Sequence, residues 1–318
     1  MPNPDISPRR PLLALTLSVM LPGLGQLYNG QLNKGIFLFL VFVFISTPFV
    51  ALVALSLPPQ WLMPLLILSL ALTLGLYLFG ILDAWRVARR CTDYRPRQWQ
   101  QPAIYLALVL FAYISVLGNS TSYIREHLVE SFRIPSNSMK PNVLQGDFLF
   151  ADKRVNCPGC KHSIQRGDIA IFVYPNNRTL YYIKRVIALP GDKVRIQGRT
   201  LFVNNKAITL EQQEDFVTEQ GDNGSYQVFW PSHGKSENYR LTVPPGEVFV
   251  LGDNRDASVD SRSFGSVPLM DVIGRAKQVW LSYDPDTGIR WDRLGKVFLD
   301  GFRPVRMETH VGCREVMS

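Results

Sequence analysis

Two apolar stretches, roughly 35–57 and 61–83, constrain this chain before anything else does. Each is long enough for a helix to cross a hydrocarbon core, which takes about 20 residues. Only Leu57, Pro58, Pro59 and Gln60 part them. A third uncharged run, about 102–118 (PAIYLALVLFAYISVLG), is slightly short but usable as a span. Beyond residue 119 the texture changes to mixed polarity with glycines and β-branched residues. The chain therefore divides into a membrane anchor, 1–119, and a water-soluble domain, 120–318, and its 47% hydrophobic content averages two unlike parts.

The formal net charge is +8. Arg9, Arg10, Lys34, Arg86, Arg89, Arg90, Arg95 and Arg97 lie in 1–101 against Asp5, Asp83 and Asp93, which gives that stretch +5 and the rest +3. The excess describes membrane topology rather than a phosphate-binding face, so no nucleic acid is expected as a partner. Five of these arginines crowd the 84–101 loop and none lies in 57–60, which makes the arginine loop cytoplasmic. The third span then carries 120–318 outward, onto the extracytoplasmic face of the membrane and against its lipid.

The run Pro11–Tyr28 is broken by Pro22, Gly23, Gly25 and Gln26, with Asn29 just beyond it. It reads as re-entrant or interfacial over 11–29, because such residues loosen a spanning helix and a span here would strand Arg9 and Arg10 outside. No short apolar core with a small-x-small site precedes the next span, so a cleavable signal sequence is disfavoured. The stretch LPGLGQLYNGQLNKG resembles a motif of small membrane modules of the TM2 kind, and what 11–34 contributes stays open.

From Asp147 onward, DFLFADK, DIAIFVY, LYYIKRVIAL, KVRIQ, TLFVN, EVFVLGD and VIGRAKQVWLSY sit between Gly, Pro and Asn punctuation and read as strands. No helix-period segment of any length separates them. That excludes alternating βαβ units and favours an antiparallel, barrel-like β architecture behind the transmembrane helices. Residues 211–240, rich in Gln, Glu, Asn, Ser and Gly, read as a variable inserted hairpin or loop without chemistry.

Ser138 lies in the polar turn Pro-Ser-Asn-Ser-Met, about 19 residues after the third run ends. A serine hydroxyl needs a positioned base to attack at neutral pH. His127, His162, His233 and His310 are scattered and offer no triad context. Lys184 lies within the apolar run Tyr181, Tyr182, Ile183, Val186, Ile187, Ala188 and Leu189. Burial there disfavours an ammonium and yields a neutral amine able to take the serine proton. Strand alternation turns Arg185 the other way. Taken singly, either residue reads as an ordinary turn serine or strand lysine.

Three stretches together go further: FRIPSNSMKP at 132–141, YYIKRVIALPGDKV at 181–194 and GDNRDASVDSRSFGSVP at 252–268. In content and order they resemble the successive boxes of bacterial type I signal peptidases, the Ser/Lys dyad peptidases, across most of 131–293. The resemblance implies a membrane-bound serine endopeptidase that removes N-terminal signal peptides from exported preproteins. It makes Ser138 the nucleophile and Lys184 the general base. It also implies that Ser136 donates to the oxyanion, that Ser258 hydrogen-bonds the lysine amine, and that Asp253, Arg255, Asp260 and Arg262 form an ionic scaffold. Phe132, Ile134, Pro135, Tyr182 and Ile183 are implied to line shallow pockets and an exposed strand edge that receive small residues at positions −1 and −3. The family usually has Asn where this chain has Ala257. Met139 is left with two alternatives, facing lipid or packing beneath the nucleophile turn.

Cys157 and Cys160 form CPGC, for which a disulfide closing a tight loop is favoured over a redox dithiol or half a zinc site. No nucleotide or metal motif is present, and no cofactor is expected. The expected partners are signal peptides and lipid, with the secretion machinery nearby, and the expected location is the bacterial cytoplasmic membrane. Competing readings are a self-cleaving SOS repressor, which the spans oppose, a pilin-processing peptidase of the same superfamily, and an inactive membrane-tethered module that captures export signals. Presence of both Ser138 and Lys184 speaks against the last.

Overall fold

The computed structural model describes residues 8–46, 48–56, 61–155, 163–233 and 237–298. Cys157 and Cys160, the disulfide candidates, fall in 156–162 and lie outside the described residues. The N-terminal part is helical: α1 (Pro11–Met20), α2 (Leu24–Tyr28), α3 (Leu32–Ser46), α4 (Pro48–Ser56), α5 (Leu62–Arg90), α6 (Pro102–Phe111) and α7 (Asn119–His127). Pro11 and Pro102 sit in the first turns of α1 and α6, where a missing N–H costs nothing. α5 closes on Arg89 and Arg90, cations at the negative end of the helix dipole.

Leu32–Leu55, Met63–Arg90 and Pro102–His127 are long and apolar enough to cross a membrane. The second and third outrun the expected 61–83 and 102–118, because helix propensity does not stop where hydropathy does. Ala84, Arg86, Ala88 and Arg89 are good helix formers. A π-helical turn, Ala112–Gly118, links α6 to the polar α7, so the domain boundary expected after residue 119 falls inside a continuous helix.

Residues 11–29 form a helical hairpin along the arginine-bearing half of α5. Arg9 N donates to the Cys91 carbonyl at one end (3.1 Å), and Tyr77 OH donates to the Val19 carbonyl at the other. α2 then returns, with Gln26 Nε2 donating to the Gly80 carbonyl (2.8 Å) and Asn29 Nδ2 to the Ala84 carbonyl (2.7 Å). Gly23 makes the turn at φ +92°, and a Cβ there would stand 2.1 Å from the Gly35 carbonyl oxygen of α3.

The head comprises β1 (Val129–Arg133), β2 (Asp147–Asp152), β3 (Ile169–Val173), β4 (Tyr181–Ala188), β5 (Lys193–Gly198), β6 (Thr200–Val203), β7 (Lys206–Ala207), β8 (Thr209–Gln212), β9 (Phe216–Gly221), β10 (Gly224–Phe229), β11 (Glu237–Thr242), β12 (Glu247–Leu251), β13 (Val267–Pro268), β14 (Val272–Asp284) and β15 (Gly288–Ile289), with a short helix α8 (Ser261–Phe264) between β12 and β13. The main sheet runs β1-β2-β14-β3-β4-β12-β13, with β15 on β14. Sheets β10-β9-β8 and β11-β5-β6-β7 complete the head. Every strand pair is antiparallel, in line with the architecture read from the sequence.

One core gathers Ile134, Met139, Leu149, Ile171, Ile183 and Val279 beneath Ser138 and Lys184. A second gathers Ile187, Ile196, Leu201, Val228, Trp230 and Phe249. β9 and β10 lie within 211–240, the segment expected as an inserted hairpin or loop, and supply part of this second core. Val217, Tyr226, Val228 and Trp230 from that segment are buried, and so is Glu219, which binds Arg255 through two contacts of 2.5 and 2.6 Å. Alternation hid this, since the inward residues are spaced by two among outward polar ones.

The expected ionic scaffold is built in part from pairs that reach beyond its own segment. Asp260 and Arg262 pair with each other at 2.8 Å. Asp253 pairs with Arg185 of β4 at 2.6 Å, and Arg255 with Glu219 of β9. The acids and bases of the 252–262 segment thus tie it to two neighbouring strands, because each buried charge takes the partner that completes its hydrogen bonds.

Candidate active site

β1 continues past Arg133 into an extended segment that still pairs with the start of β2. Ile134 N donates to the Asp147 carbonyl (2.8 Å), and Gly146 N donates to the Ile134 carbonyl (2.9 Å). The chain then turns through Ser136, Asn137 and Ser138. Met139 anchors this turn from below: it is fully buried beside Ile134 and Ile183, which excludes the lipid-facing alternative. Asn254 fixes the turn from the side. Its backbone N donates to the Ser138 carbonyl (3.0 Å) and its Nδ2 to the Asn137 carbonyl (3.2 Å). Sequence reasoning did not single this residue out, although it lies inside the third motif.

Lys184 comes from β4, opposite Ala170 of β3, and is 4% exposed. Its Nζ donates to Ser138 Oγ at 2.7 Å. Burial drags the ammonium from its ordinary 10.5 down to about 8, against the opposing pull of the Asp260 and Asp253 carboxylates. The neighbouring Arg185 turns away to Asp253 and lies 4.0 Å over the Tyr226 ring. A buried amine that gives up its proton more readily than usual, in contact with a half-buried hydroxyl, has the geometry that a nucleophile and its base require.

Ser136 Oγ donates to Ser138 Oγ at 3.3 Å, so its hydroxyl reaches the reacting atom. If that hydroxyl turns onto a developing oxyanion, Ser136→Ala is expected to lower kcat by roughly 100-fold with KM little changed. Steady-state kinetics on a peptide substrate checks this.

Ser258 Oγ is buried and makes no hydrogen bond, while Lys184 Nζ donates to Ser138 Oγ. It is nevertheless beside the nucleophile turn: a Cβ placed on Gly252 would stand 2.1 Å from Ser258 Oγ and 2.7 Å from the Ser138 carbonyl oxygen. Gly252 is therefore the residue that lets the third motif close on the first. Its N–H is held by Asp260 Oδ2 at 2.9 Å.

A cleft of about 340 Å³ opens over the pair, walled by Pro135 and Ser136 on one side and Tyr181, Tyr182 and Ile183 on the other. Ala257 and Val259 close it, and the sequence had not marked Tyr181 or Val259 as site residues. Ala257 contributes only a methyl group to the lining. Of the expected substrate-binding residues, Pro135, Tyr182 and Ile183 line the cleft. Phe132 stands at its margin, edge-on to Tyr181 at 6.1 Å. Ile134, 3% exposed, belongs to the core instead. β12 pairs with β4 only from Arg185 to Ala188, so residues 181–184 keep one backbone edge unpaired alongside the cleft. Among the described residues, no three His, Cys, Asp or Glu side chains converge as a metal ion would require.

Comparison with known proteins places this site in context. The family model for signal peptidases, peptidase S26, matches residues 103–281. Signal peptidase I of Pseudomonas aeruginosa is 36% identical over 58% of this chain and 71% of its own length. Signal peptidase I of Buchnera aphidicola is 32% identical over 55% of this chain and 76% of its own length. A solved signal peptidase I from Enterococcus faecalis is 30% identical, aligned over 36% of this chain and 97% of that one, with a TM-score of 0.26.

Proposed function

The chain belongs to the signal peptidase family, peptidase S26, whose Pseudomonas and Buchnera members are signal peptidases I, and we propose that it cuts signal peptides from exported preproteins with Ser138 and Lys184 as its catalytic dyad. The observation that carries this reading is the 2.7 Å contact between a buried lysine amine and Ser138 Oγ at the floor of an open cleft.

In this reading the preprotein lies extended along the free edge of residues 181–184, adding a strand to β4. Small side chains at −1 and −3 fit a cleft of this modest size. Ser138 Oγ attacks the scissile carbonyl as its proton passes to Lys184 Nζ. The oxyanion is met by the Ser136 hydroxyl and the Ser138 N–H. Lys184 then returns the proton to the departing amine, and the acyl-enzyme is hydrolysed by a water that Lys184 deprotonates. Asp253, Arg255, Asp260 and Arg262 hold the 252–262 segment, and Ser258 supports the lysine once the substrate draws Ser138 forward.

The arginines at the end of α5 and in the loop after it support a cytoplasmic side for that end of the anchor, with the head on the outer face of the bacterial cytoplasmic membrane. Residues 11–29 then form a re-entrant hairpin that enters from the cytoplasmic side and returns to it, within an anchor of 1–119 below a head of 120–318. Incubated in detergent with a preprotein bearing an Ala-x-Ala site, the full chain is expected to release a mature product beginning at the residue after the second Ala. N-terminal sequencing of the product decides the matter, and cleavage elsewhere, or none, refutes the proposal.

A further inference from the structure

The third membrane helix reaches the head by one unbroken run, with α7 ending at His127 and β1 starting at Val129. One covalent connection of this kind is a hinge. A second contact, made by α4, turns it into a fixed seat. Ala51, Val53 and Ala54 of α4 are almost fully buried and share an apolar cluster with Ile124 of α7, Val129 of β1 and Trp280 of β14. Leu65 and Leu66 of α5 complete the cluster, and small residues such as Ala51 and Ala54 let neighbouring backbones approach at such contacts. Lys277 of β14 donates its ammonium to the Leu55 carbonyl near the C-terminal end of α4, where a cation also meets the negative end of the helix dipole. Trp280 is locked from its other side, its ring stacked on Phe150 and its Nε1 donating to Ser131 Oγ at 2.8 Å.

We propose that α4 is a seat that fixes the height of the catalytic cleft above the membrane, and thereby selects which peptide bond of a membrane-inserted signal peptide reaches Ser138. The inference rests on the signal-peptidase reading and adds a determinant of where the cut falls. An extended substrate advances by about 3.3 Å per residue, so a head that rocked by a few ångströms on the α7–β1 junction would offer neighbouring bonds to the serine. β1 takes the α4 contact at Val129 and leads directly to Pro135, Ser136 and Ser138. A displacement at the seat is therefore passed along a single strand to the cleft wall. The seat shares no residue with the dyad or the cleft lining.

The test uses the full chain in phosphatidylethanolamine–phosphatidylglycerol vesicles, with two substrates. One is a preprotein whose apolar segment leads into a polyalanine run, which offers small residues at −1 and −3 in every register. The other is a short soluble peptide with a single site. Wild type is expected to cut the preprotein at one dominant bond. Ala54→Leu, which overfills the seat, and Lys277→Ala, which removes its polar clasp, are each expected to spread the cuts over neighbouring bonds. The fraction at the wild-type bond should fall by about twofold or more, while kcat/KM on the soluble peptide stays within about twofold. Peptide activity shows that a variant is folded, and if Ala54→Leu fails that control the milder Lys277→Ala decides. Variants that cut the soluble peptide normally and the preprotein only at the wild-type bond overturn the seat. A wild-type chain inactive on both substrates overturns the signal-peptidase reading itself.

Discussion

Lys184→Met and Ser138→Ala are each expected to lower preprotein cleavage by about 10⁴-fold or more, since the two residues act as one unit. A thioether cannot accept the serine proton, and a methyl group cannot attack. The pH profile of the wild type carries the same information in graded form. A lysine left at 10.5 would be neutral in only about 0.03% of molecules at pH 7, whereas one drawn down to about 8 is neutral in about a tenth, a gain of roughly 300-fold. Cleavage should therefore rise with pH through about 8 and level off above it.

Lys184→Met should also reveal what the site costs the fold. Its folded pKa lies below its unfolded one, so between about 8 and 10.5 the unfolded chain binds more protons than the folded chain. Stability attributable to this group rises with pH across that window, and the full penalty is present below it. Removing the ammonium is expected to stabilise the head at pH 7 by up to about 3 kcal/mol, read as a higher Tm. An inactive variant that melts lower than wild type would contradict burial as the source of the depressed pKa.

Glu219→Ala is expected to destabilise the head by about 3–5 kcal/mol, because it leaves the Arg255 guanidinium buried without its counter-charge. Both side chains are fully enclosed, so solvent cannot take over the role of the carboxylate. Arg255 lies 4.8 Å over the Trp230 ring, which makes tryptophan fluorescence a local reporter of the transition. Adding Arg255→Met to Glu219→Leu should restore much of the loss, since an apolar pair of similar volume carries no desolvation cost. Activity should fall with Glu219→Ala as well, because Arg255 is next in the chain to Asn254, which holds the carbonyls of Asn137 and Ser138.

The sequence made some of this plain and concealed the rest for physical reasons. Ser138 and Lys184 were singled out by the order of the three motifs, since a turn serine or a strand lysine is ordinary when taken alone. The apolar helices were legible from hydropathy, but their ends were not, since 84–90 and 119–127 stay helical for reasons of propensity rather than burial. Glu219 was hidden in a polar segment whose buried residues alternate with exposed ones. The partners of Asp253 and Arg255 could not be read at all, because the pairing depends on how β4 and β9 converge on one loop. Ile134 and Pro135 looked alike as pocket residues, and the fold separates them by sending one to the core and the other to the cleft. The unpaired edge at 181–184 arises from where β12 stops pairing, a matter of register that composition does not encode.

The π-helical turn at Ala112–Gly118 gives the third membrane helix a change of phase partway along its length. Each residue of an α-helix advances the azimuth by roughly 100°, so one residue taken into a wider turn re-aims every element C-terminal to it. Here those elements are α7, β1 and the turn that carries Ser138. The compass bearing of the head is thus written within AYISVLG, where Ala112 packs inside the bundle and Tyr113 donates its hydroxyl to the Met20 carbonyl, and where the number of residues decides which way the head faces.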